Sequence, residues 1–115
     1  TKTFQDWLAD VLPKISAAQE LIDTQLSADN SAASAQATET EDAYREACDW
    51  LAEANSWLAD QEYQELMAMD RARGTASERK IILNYKLKDS RELRDKLKGL
   101  SEALKARMRR AAWRA

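Results

Sequence analysis

Residues 89–114 read DSRELRDKLKGLSEALKARMRRAAWR, and this stretch decides the fold because it has the period of an amphipathic helix. On a helical wheel, six apolar side chains fall within about 80° of one another, as a 3.6-residue period requires. The stripe consists of Leu93, Leu97, Leu100, Leu104, Met108 and Ala111. Asp89 and Glu92 have capping-box spacing, which predicts a helix start near Ser90.

Basic side chains flank this stripe on both sides. One flank carries Arg91, Arg94, Lys98, Lys105 and Arg109, and the other carries Lys96, Arg107 and Arg114. A basic helix face can contact the phosphates of a nucleic acid or an acidic protein surface. The candidate interface residues are therefore Arg91, Arg94, Lys98, Lys105, Arg109 and Arg110.

Charge is divided unevenly along the chain, whose formal net charge is −2. Residues 1–69 hold three basic and 14 acidic residues, a net charge of −11, whereas residues 70–115 hold 15 basic and six acidic residues, a net charge of +9. Such a division indicates partners of opposite sign. It is equally compatible with a hairpin in which the two halves pair with each other.

The composition favours helix, with 21 alanines, two glycines and one proline among 115 residues. Leu, Ile, Val and Phe together make up only 19 residues, which is a thin supply for an independent core. We therefore predict a mainly α, single-domain protein over residues 1–115, an antiparallel helical bundle or a long helical hairpin of about three helices. We also expect it to bind protein partners, as a homo-oligomer or in a larger assembly.

The first helix is predicted over about residues 4–26. Pro13 either kinks this helix or starts a second one after Leu12. Residues 27–40, SADNSAASAQATET, are small and polar and have no apolar period, so they are interpreted as a linker.

A second helix is predicted over about residues 41–73, with a capping box formed by Thr38 and Glu41. Trp50 and Trp57 lie one heptad apart on it and are interpreted as core or interface anchors. Gly74 is a typical helix stop, and Thr75–Glu78 offers another capping box.

Residues 80–88, KIILNYKLK, admit two interpretations. Apolar residues alternate there nearly as in a strand, which gives a possible short strand at 80–87 completed by another chain. We favour helix, because helix dominates the rest of the chain. The third helix then spans about 76–112, or 90–112 if the strand forms.

The stretch Tyr85-Lys-Leu-Lys-Asp-Ser-Arg-Glu-Leu-Arg-Asp-Lys-Leu-Lys-Gly-Leu, with the basic tail Arg107–Arg110, resembles the second half of the small head–tail joining proteins of tailed phages, the lambda W type. The resemblance covers about residues 85–110. It implies a helix, a short β-hairpin, a second helix and a basic tail, in a virion assembly protein that docks as several copies in a ring. It implies no active site.

The sequence lacks histidine, a second cysteine and a phosphate-binding loop. Without histidine there is no imidazole catalysis or ligation, one cysteine cannot form a zinc site, and no phosphate-binding glycine loop occurs. We expect no enzyme activity, no cofactor and no metal. Cys48 is interpreted as a small packed residue.

The sequence shows no signal peptide and no apolar run of transmembrane length, so we expect a cytoplasmic location, or a virion location if a phage encodes the chain. The preferred function is a structural or adaptor protein, and the alternative is nucleic-acid binding through the basic helix. Membrane attachment through Trp113 is not favoured, because docking of this terminal tryptophan on a neighbouring subunit would explain its position equally well.

Overall fold

A computed structural model of the protein describes residues 2–24, 29–69 and 74–114, and their side chains except at positions 30 and 112–114. Over these ranges the chain forms four helices and no strand. They are α1 (Phe4–Asp23), α2 (Asn30–Ala68), α3 (Ala76–Lys86) and α4 (Lys88–Arg114). The mainly α class is confirmed, while the expected number of about three helices is one too few.

α1 begins after Thr3, as predicted. The Thr3 hydroxyl accepts a hydrogen bond from the Asp6 backbone N–H, and the Asp6 carboxylate accepts one from the Thr3 backbone N–H. The bond from the Thr3 backbone N–H stabilises the ionised carboxylate and is the main cause of the lowered pKa of Asp6. α1 continues through Pro13, so the alternative of two separate helices is wrong.

The first helix ends at Asp23 rather than near residue 26. Thr24 has extended backbone, with ψ 130°, and its N–H donates to the Leu21 carbonyl oxygen. Positions 25 and 26 of the predicted helix lie outside the described residues.

α2 corrects the predicted linker, because its helix already begins at Asn30 and not near residue 41. Alanines in this segment favour helix, and packing overrides its polar composition. Ala33 is buried and Thr40 is completely buried. The Thr38 cap is also wrong, because Thr38 lies within α2 and its hydroxyl donates to the Ser34 carbonyl oxygen at 3.2 Å. The helix ends at Ala68, and positions 70–73 of the prediction lie outside the described residues.

The strand considered for residues 80–87 is wrong, because this segment is helical up to Lys86. Its helix starts with the predicted capping box of Thr75 and Glu78. Leu83 and Leu87, four residues apart, are buried against Leu58, so helical spacing decides the packing. Of the alternating apolar residues that resembled a strand, Ile81 and Tyr85 instead lie on the outer side of α3.

Leu87 alone separates α3 from α4, with φ −99° and ψ 4°. Hydrogen bonds continue across it, from the Leu87 N–H to the Leu83 carbonyl and from the Arg91 N–H to the Leu87 carbonyl. α4 therefore begins at Lys88, so the predicted start near Ser90 is wrong and Asp89 lies in the first turn.

α2 and α4 form a long antiparallel pair, and most tertiary contacts join these two helices. At one end the Ser90 hydroxyl donates to the Gln61 side-chain oxygen at 2.6 Å, and at the other the Arg107 Nε donates to the Thr40 hydroxyl at 3.1 Å. α1 packs antiparallel to α2, with Phe4 edge-on to Trp57 at a ring separation of 5.8 Å.

The main core lies between α1, α2 and α4. Its buried members are Trp7, Val11, Ile15, Ala18, Ala47, Trp50, Ala54, Leu97, Leu100 and Leu104. A second, smaller cluster holds α3 against α2 through Leu58, Leu83 and Leu87, with Met69 packed beside them. We call this end of the molecule, comprising Leu58–Met69 and α3, the tip.

The molecule is elongated, with dimensions of 65 × 30 × 16 Å and a radius of gyration of 18.7 Å. A compact chain of this length has a radius of gyration of about 13 Å. The accessible surface is 7916 Å², against roughly 6,400 Å² for an ordinary monomer of this mass. The chain therefore combines a small number of bulky apolar residues with more accessible surface than an ordinary monomer of this mass.

Replacing the two glycines of the chain by alanine should change the free energy of unfolding in opposite directions. An added Cβ at Gly99 meets no atom within 4 Å, so Gly99→Ala should raise the free energy of unfolding by up to about 1 kcal/mol through helix propensity. Gly74 has φ +77°, where an L side chain is strained, and a Cβ there would lie 2.7 Å from the Glu78 carboxylate. Gly74→Ala should lower the free energy of unfolding by about 1–2 kcal/mol.

Urea unfolding followed by circular dichroism measures both changes. A destabilising Gly99→Ala would show that α4 is covered at this position.

Candidate protein-docking surfaces

Exposed apolar side chains are concentrated at the tip. Of the seven large hydrophobic residues that the described structure leaves exposed, only Leu12 lies elsewhere. The other six are Tyr63, Leu66, Met67, Ile81, Ile82 and Tyr85. Contiguous apolar surface of this kind marks interaction sites in soluble proteins.

The outer side of α3 carries three of these residues, which we call the α3 face: Ile81, Ile82 and Tyr85. They are 67%, 46% and 82% exposed. Leu83 turns inward and is buried against α2. On a wheel of 100° per residue, Ile81 and Tyr85 lie about 160° from Leu83. The α3 face therefore points away from α2.

The outer side of α2 carries a second apolar pair, Tyr63 and Met67, which we call the α2 face. They are 59% and 61% exposed. Two residues identify the inner side of this part of α2. Leu58 packs against α3, and the Glu65 carboxylate lies 3.0 Å from the Lys86 ammonium. Tyr63 thus points away from α3, whereas Met67 also lines a groove between the two helices.

A groove of about 570 Å³ lies between the two helices. It is lined by Leu66, Met67, Met69, Ala76, Arg79, Lys80 and Leu83. The groove continues the apolar surface of α2 towards α3, and Arg79 and Lys80 place positive charge at its rim.

The structure divides the predicted basic residues into two groups. Arg91 and Arg94 are half-buried and bonded, Arg91 to the Asn84 side-chain oxygen at 2.5 Å and Arg94 to Asp95 at 3.0 Å. The remaining candidates are exposed and make no salt bridge with any described residue. They are Lys98, Lys105, Arg109 and Arg110.

Pairing between the acidic and basic halves is sparse. Within residues 2–24, 29–69 and 74–114, the bridge between Lys86 and Glu65 is the one salt bridge that joins the halves. The others join residues of the same half, as between Arg45 and Glu41 at 2.6 Å. The antiparallel arrangement brings the halves together, but it leaves most of their opposite charge available to other molecules.

The predicted tryptophan anchors have different positions. Trp50 is 6% exposed and belongs to the main core, so it supports packing and offers no surface to a partner. Trp57 is half-buried and packs against Phe4. The Trp113 side chain lies outside the described part of the structure.

Arg107 is a residue whose role the sequence did not indicate. It is 1% exposed and lies where α1 ends beside α2 and α4. Its Nη1 donates to the Thr24 carbonyl and, at 3.5 Å, to the Ile22 carbonyl, while Nε donates to the Thr40 hydroxyl. The Thr40 hydroxyl in turn donates to the Gln36 carbonyl at 2.7 Å. A cation suits the partly negative carboxyl end of α1.

No described carboxylate forms a salt bridge with Arg107, and its Nη2 has no hydrogen-bond partner. Burial lowers the pKa of its guanidinium, and the positive charge of Arg110 lowers it further. From sequence alone Arg107 resembles the other basic residues beside the leucine stripe, because nothing in its period reveals that α1 covers it.

The described residues contain no group of three or more acidic or cysteine side chains placed to hold a metal ion. Among the described helices, none has the length and apolar character needed to cross a bilayer. Cys48 is half-buried, and its interaction with the Tyr44 hydroxyl raises the pKa of that tyrosine.

Comparison of the chain with models of protein families, with curated proteins and with solved structures found no significant match. The structure itself defines an elongated, mainly α antiparallel bundle with an apolar tip and a basic last helix.

Arg107→Ala tests the buried arginine. It should lower the free energy of unfolding by about 2 kcal/mol or more, because the buried Thr40 hydroxyl and the partly buried carbonyls of Ile22 and Thr24 lose their donor. Arg110→Ala is the matched control on the exposed side of the same helix turn and should change it by about 0.5 kcal/mol at most. Equal effects of the two substitutions in urea unfolding would contradict the buried role of Arg107.

Proposed function

We propose that this chain is a non-enzymatic structural or adaptor protein that assembles with other protein through its helical faces. The observation that carries this proposal is the exposed apolar surface of the tip, formed by the α2 face, the α3 face and Leu66. Burying such surface is favourable by roughly 25 cal/mol per Å². A folded chain that exposes apolar surface on both α2 and α3 therefore lowers its free energy when another protein covers that surface.

The shape supports the same proposal. An elongated bundle with excess surface and a thin core gains stability when neighbours cover it. The unpaired basic residues of α4 and the acidic outer side of α2 supply the polar contacts that orient protein partners.

A more specific form of the proposal is a component of the head–tail connection of a phage virion, as the resemblance of residues 85–110 implies. The basic α4 is compatible with that class. The short β-hairpin that the resemblance implies is not found in the described residues, where Ile81 to Lys86 is helix. Virion assembly therefore rests on the resemblance alone.

Site-specific photocrosslinking tests the proposal in cells that make the protein. A benzophenone amino acid in place of Tyr85 should give adducts heavier than the 13.1 kDa chain after irradiation, because Tyr85 belongs to the α3 face and is 82% exposed. The same photoreactive residue in place of Leu12 is the matched control, since Leu12 is an exposed hydrophobic residue far from the tip.

Adducts specific to position 85 would support docking through the tip, whichever protein is captured. No adduct at position 85, or the same adducts from both positions, would contradict it.

Nucleic-acid binding by α4 is the second candidate function. It is favoured by four exposed basic side chains without described salt bridges: Lys98, Lys105, Arg109 and Arg110. Lys98, Lys105 and Arg109 recur along one flank of the helix, so a backbone of phosphates could contact them together. The acidic half of the chain opposes this function by repelling the same phosphates.

Binding to double-stranded DNA, measured by gel shift at several salt concentrations, tests this candidate. Each phosphate contact that is lost should reduce the slope of log affinity against log salt by about 0.9. Replacing Lys98, Lys105 and Arg109 by Gln should therefore flatten the slope, while Lys14→Gln on α1 should not. No binding by the wild type at low salt would remove this candidate.

A further inference from the structure

We propose that the partner of the tip is a second copy of this chain, bound head to tail, with the α2 face of one copy against the α3 face of the next. This inference rests on the proposed function, because it names the occupant of the surfaces through which the chain assembles. It is carried by the position, the charge and the extent of the two faces.

The two faces point in different directions. Tyr63 points outward from α2, and Ile81 and Tyr85 point outward from α3, while Leu58 and Leu83 pack between the two helices. Met67 lines the groove between the helices, so the α2 face reaches from the outer side of α2 to that groove. A neighbour seated on the α3 face therefore leaves the α2 face free for another neighbour. Contacts between unlike surfaces of identical copies generate rings or filaments, depending on the rotation between copies.

Charge selects the pairing of unlike faces. The part of α2 in the tip, residues 58–69, contains Asp60, Glu62 and Glu65 and no basic residue. Glu65 is bridged to Lys86, which leaves Asp60 and Glu62 for a partner. On α3, Arg79 and Lys80 make no salt bridge with any described residue, and the one acidic residue, Glu78, caps the helix start at Thr75. An α2 face against another α2 face would bring like charges together, as would α3 against α3, whereas α2 against α3 brings opposite charges together.

The extent of the faces fits a reversible interface. Together the six exposed side chains of the tip offer on the order of 700 Å² of apolar surface. A protein interface of about 1,200 Å² contains roughly this much apolar area, and that size is the lower end of specific interfaces. Association should therefore be concentration-dependent rather than permanent.

Each face contains an i,i+4 pair that can be replaced without disturbing the core. The α2-face variant carries Tyr63→Gln and Met67→Gln, and the α3-face variant carries Ile81→Gln and Tyr85→Gln. Glutamine is a good helix former and is uncharged, so the helices and the charge balance are kept. Leu12→Gln, at an exposed hydrophobic position outside the tip, is the matched control.

Sedimentation velocity of the purified proteins, up to about 100 µM, gives the first measurement, because an interface at the lower end of the specific size range forms reversibly and fills at high concentration. The wild type and Leu12→Gln should form species larger than 13.1 kDa with rising concentration. Each face variant should associate at least about 30-fold more weakly, as is typical of the loss of a central contact. Circular dichroism of each variant confirms that it is folded.

Mixing the two face variants gives the decisive measurement. The α3-face variant keeps an intact α2 face, and the α2-face variant keeps an intact α3 face. The equimolar mixture should therefore form a heterodimer of twice the chain mass that grows no further, although neither variant associates alone. A symmetric contact of α3 with α3 would instead leave the α2-face variant able to dimerise by itself.

Two outcomes would overturn head-to-tail association: a wild type that is monomeric at every concentration, or a mixture that does not associate. The photocrosslinks from position 85 distinguish the two levels of the proposal. Adducts with a different protein, together with a monomeric wild type, would leave the adaptor function standing and remove self-association. If position 85 gives no adducts and the wild type does not associate, both the adaptor function and the self-association are contradicted.

Discussion

The structure depends on the fit of large side chains of α4 against small side chains of α2. Leu97 and Leu104 are completely buried, and so is Ala47, with Ala54 nearly so. Small residues on one helix let a neighbour with larger residues approach closely, as packing of ridges into grooves requires. α1 packs on one side of this antiparallel pair. The tip, which includes α3, lies at one end of it.

The helix-rich composition and the stripe of leucines in residues 89–114 predicted the mainly α class and the antiparallel arrangement. Of the three predicted capping boxes, the one of Thr75 and Glu78 begins a helix, and the start of α1 after Thr3 was also predicted. The main error is the interpretation of residues 30–40 as a linker. Residues 80–87 are helix, as favoured, and only the alternative of a short strand is wrong. Both the linker and the strand followed from local composition, whereas burial decides the structure. Thr40 is completely buried beside Arg107, and Leu83 is packed against Leu58, and neither contact is encoded in the neighbouring sequence.

The surfaces were predicted less well than the fold, for a related reason. A helical wheel identifies which residues share a side, but it does not show which side a neighbour covers. Trp50 was therefore interpreted as either a core or an interface anchor, and Arg107 was grouped with the other basic residues beside the leucine stripe, although both are buried. Ile81 and Tyr85 were assigned to a helix or a possible strand, without a prediction that they form an exposed face. The basic flank of α4 was recognised correctly, yet only the packed structure shows that Arg91 and Arg94 are already bonded and Lys98 and Lys105 are not.

The small second cluster has a consequence for how the molecule loses its structure. Three buried leucines hold α3 to α2, whereas ten buried residues hold the main core. Because the cost of opening a region grows with the apolar contacts it breaks, the tip can separate while the remaining bundle stays intact. The free energy of local opening is thus lower at the tip than in the main core. A neighbour that covers the tip would raise this free energy and so suppress the opening.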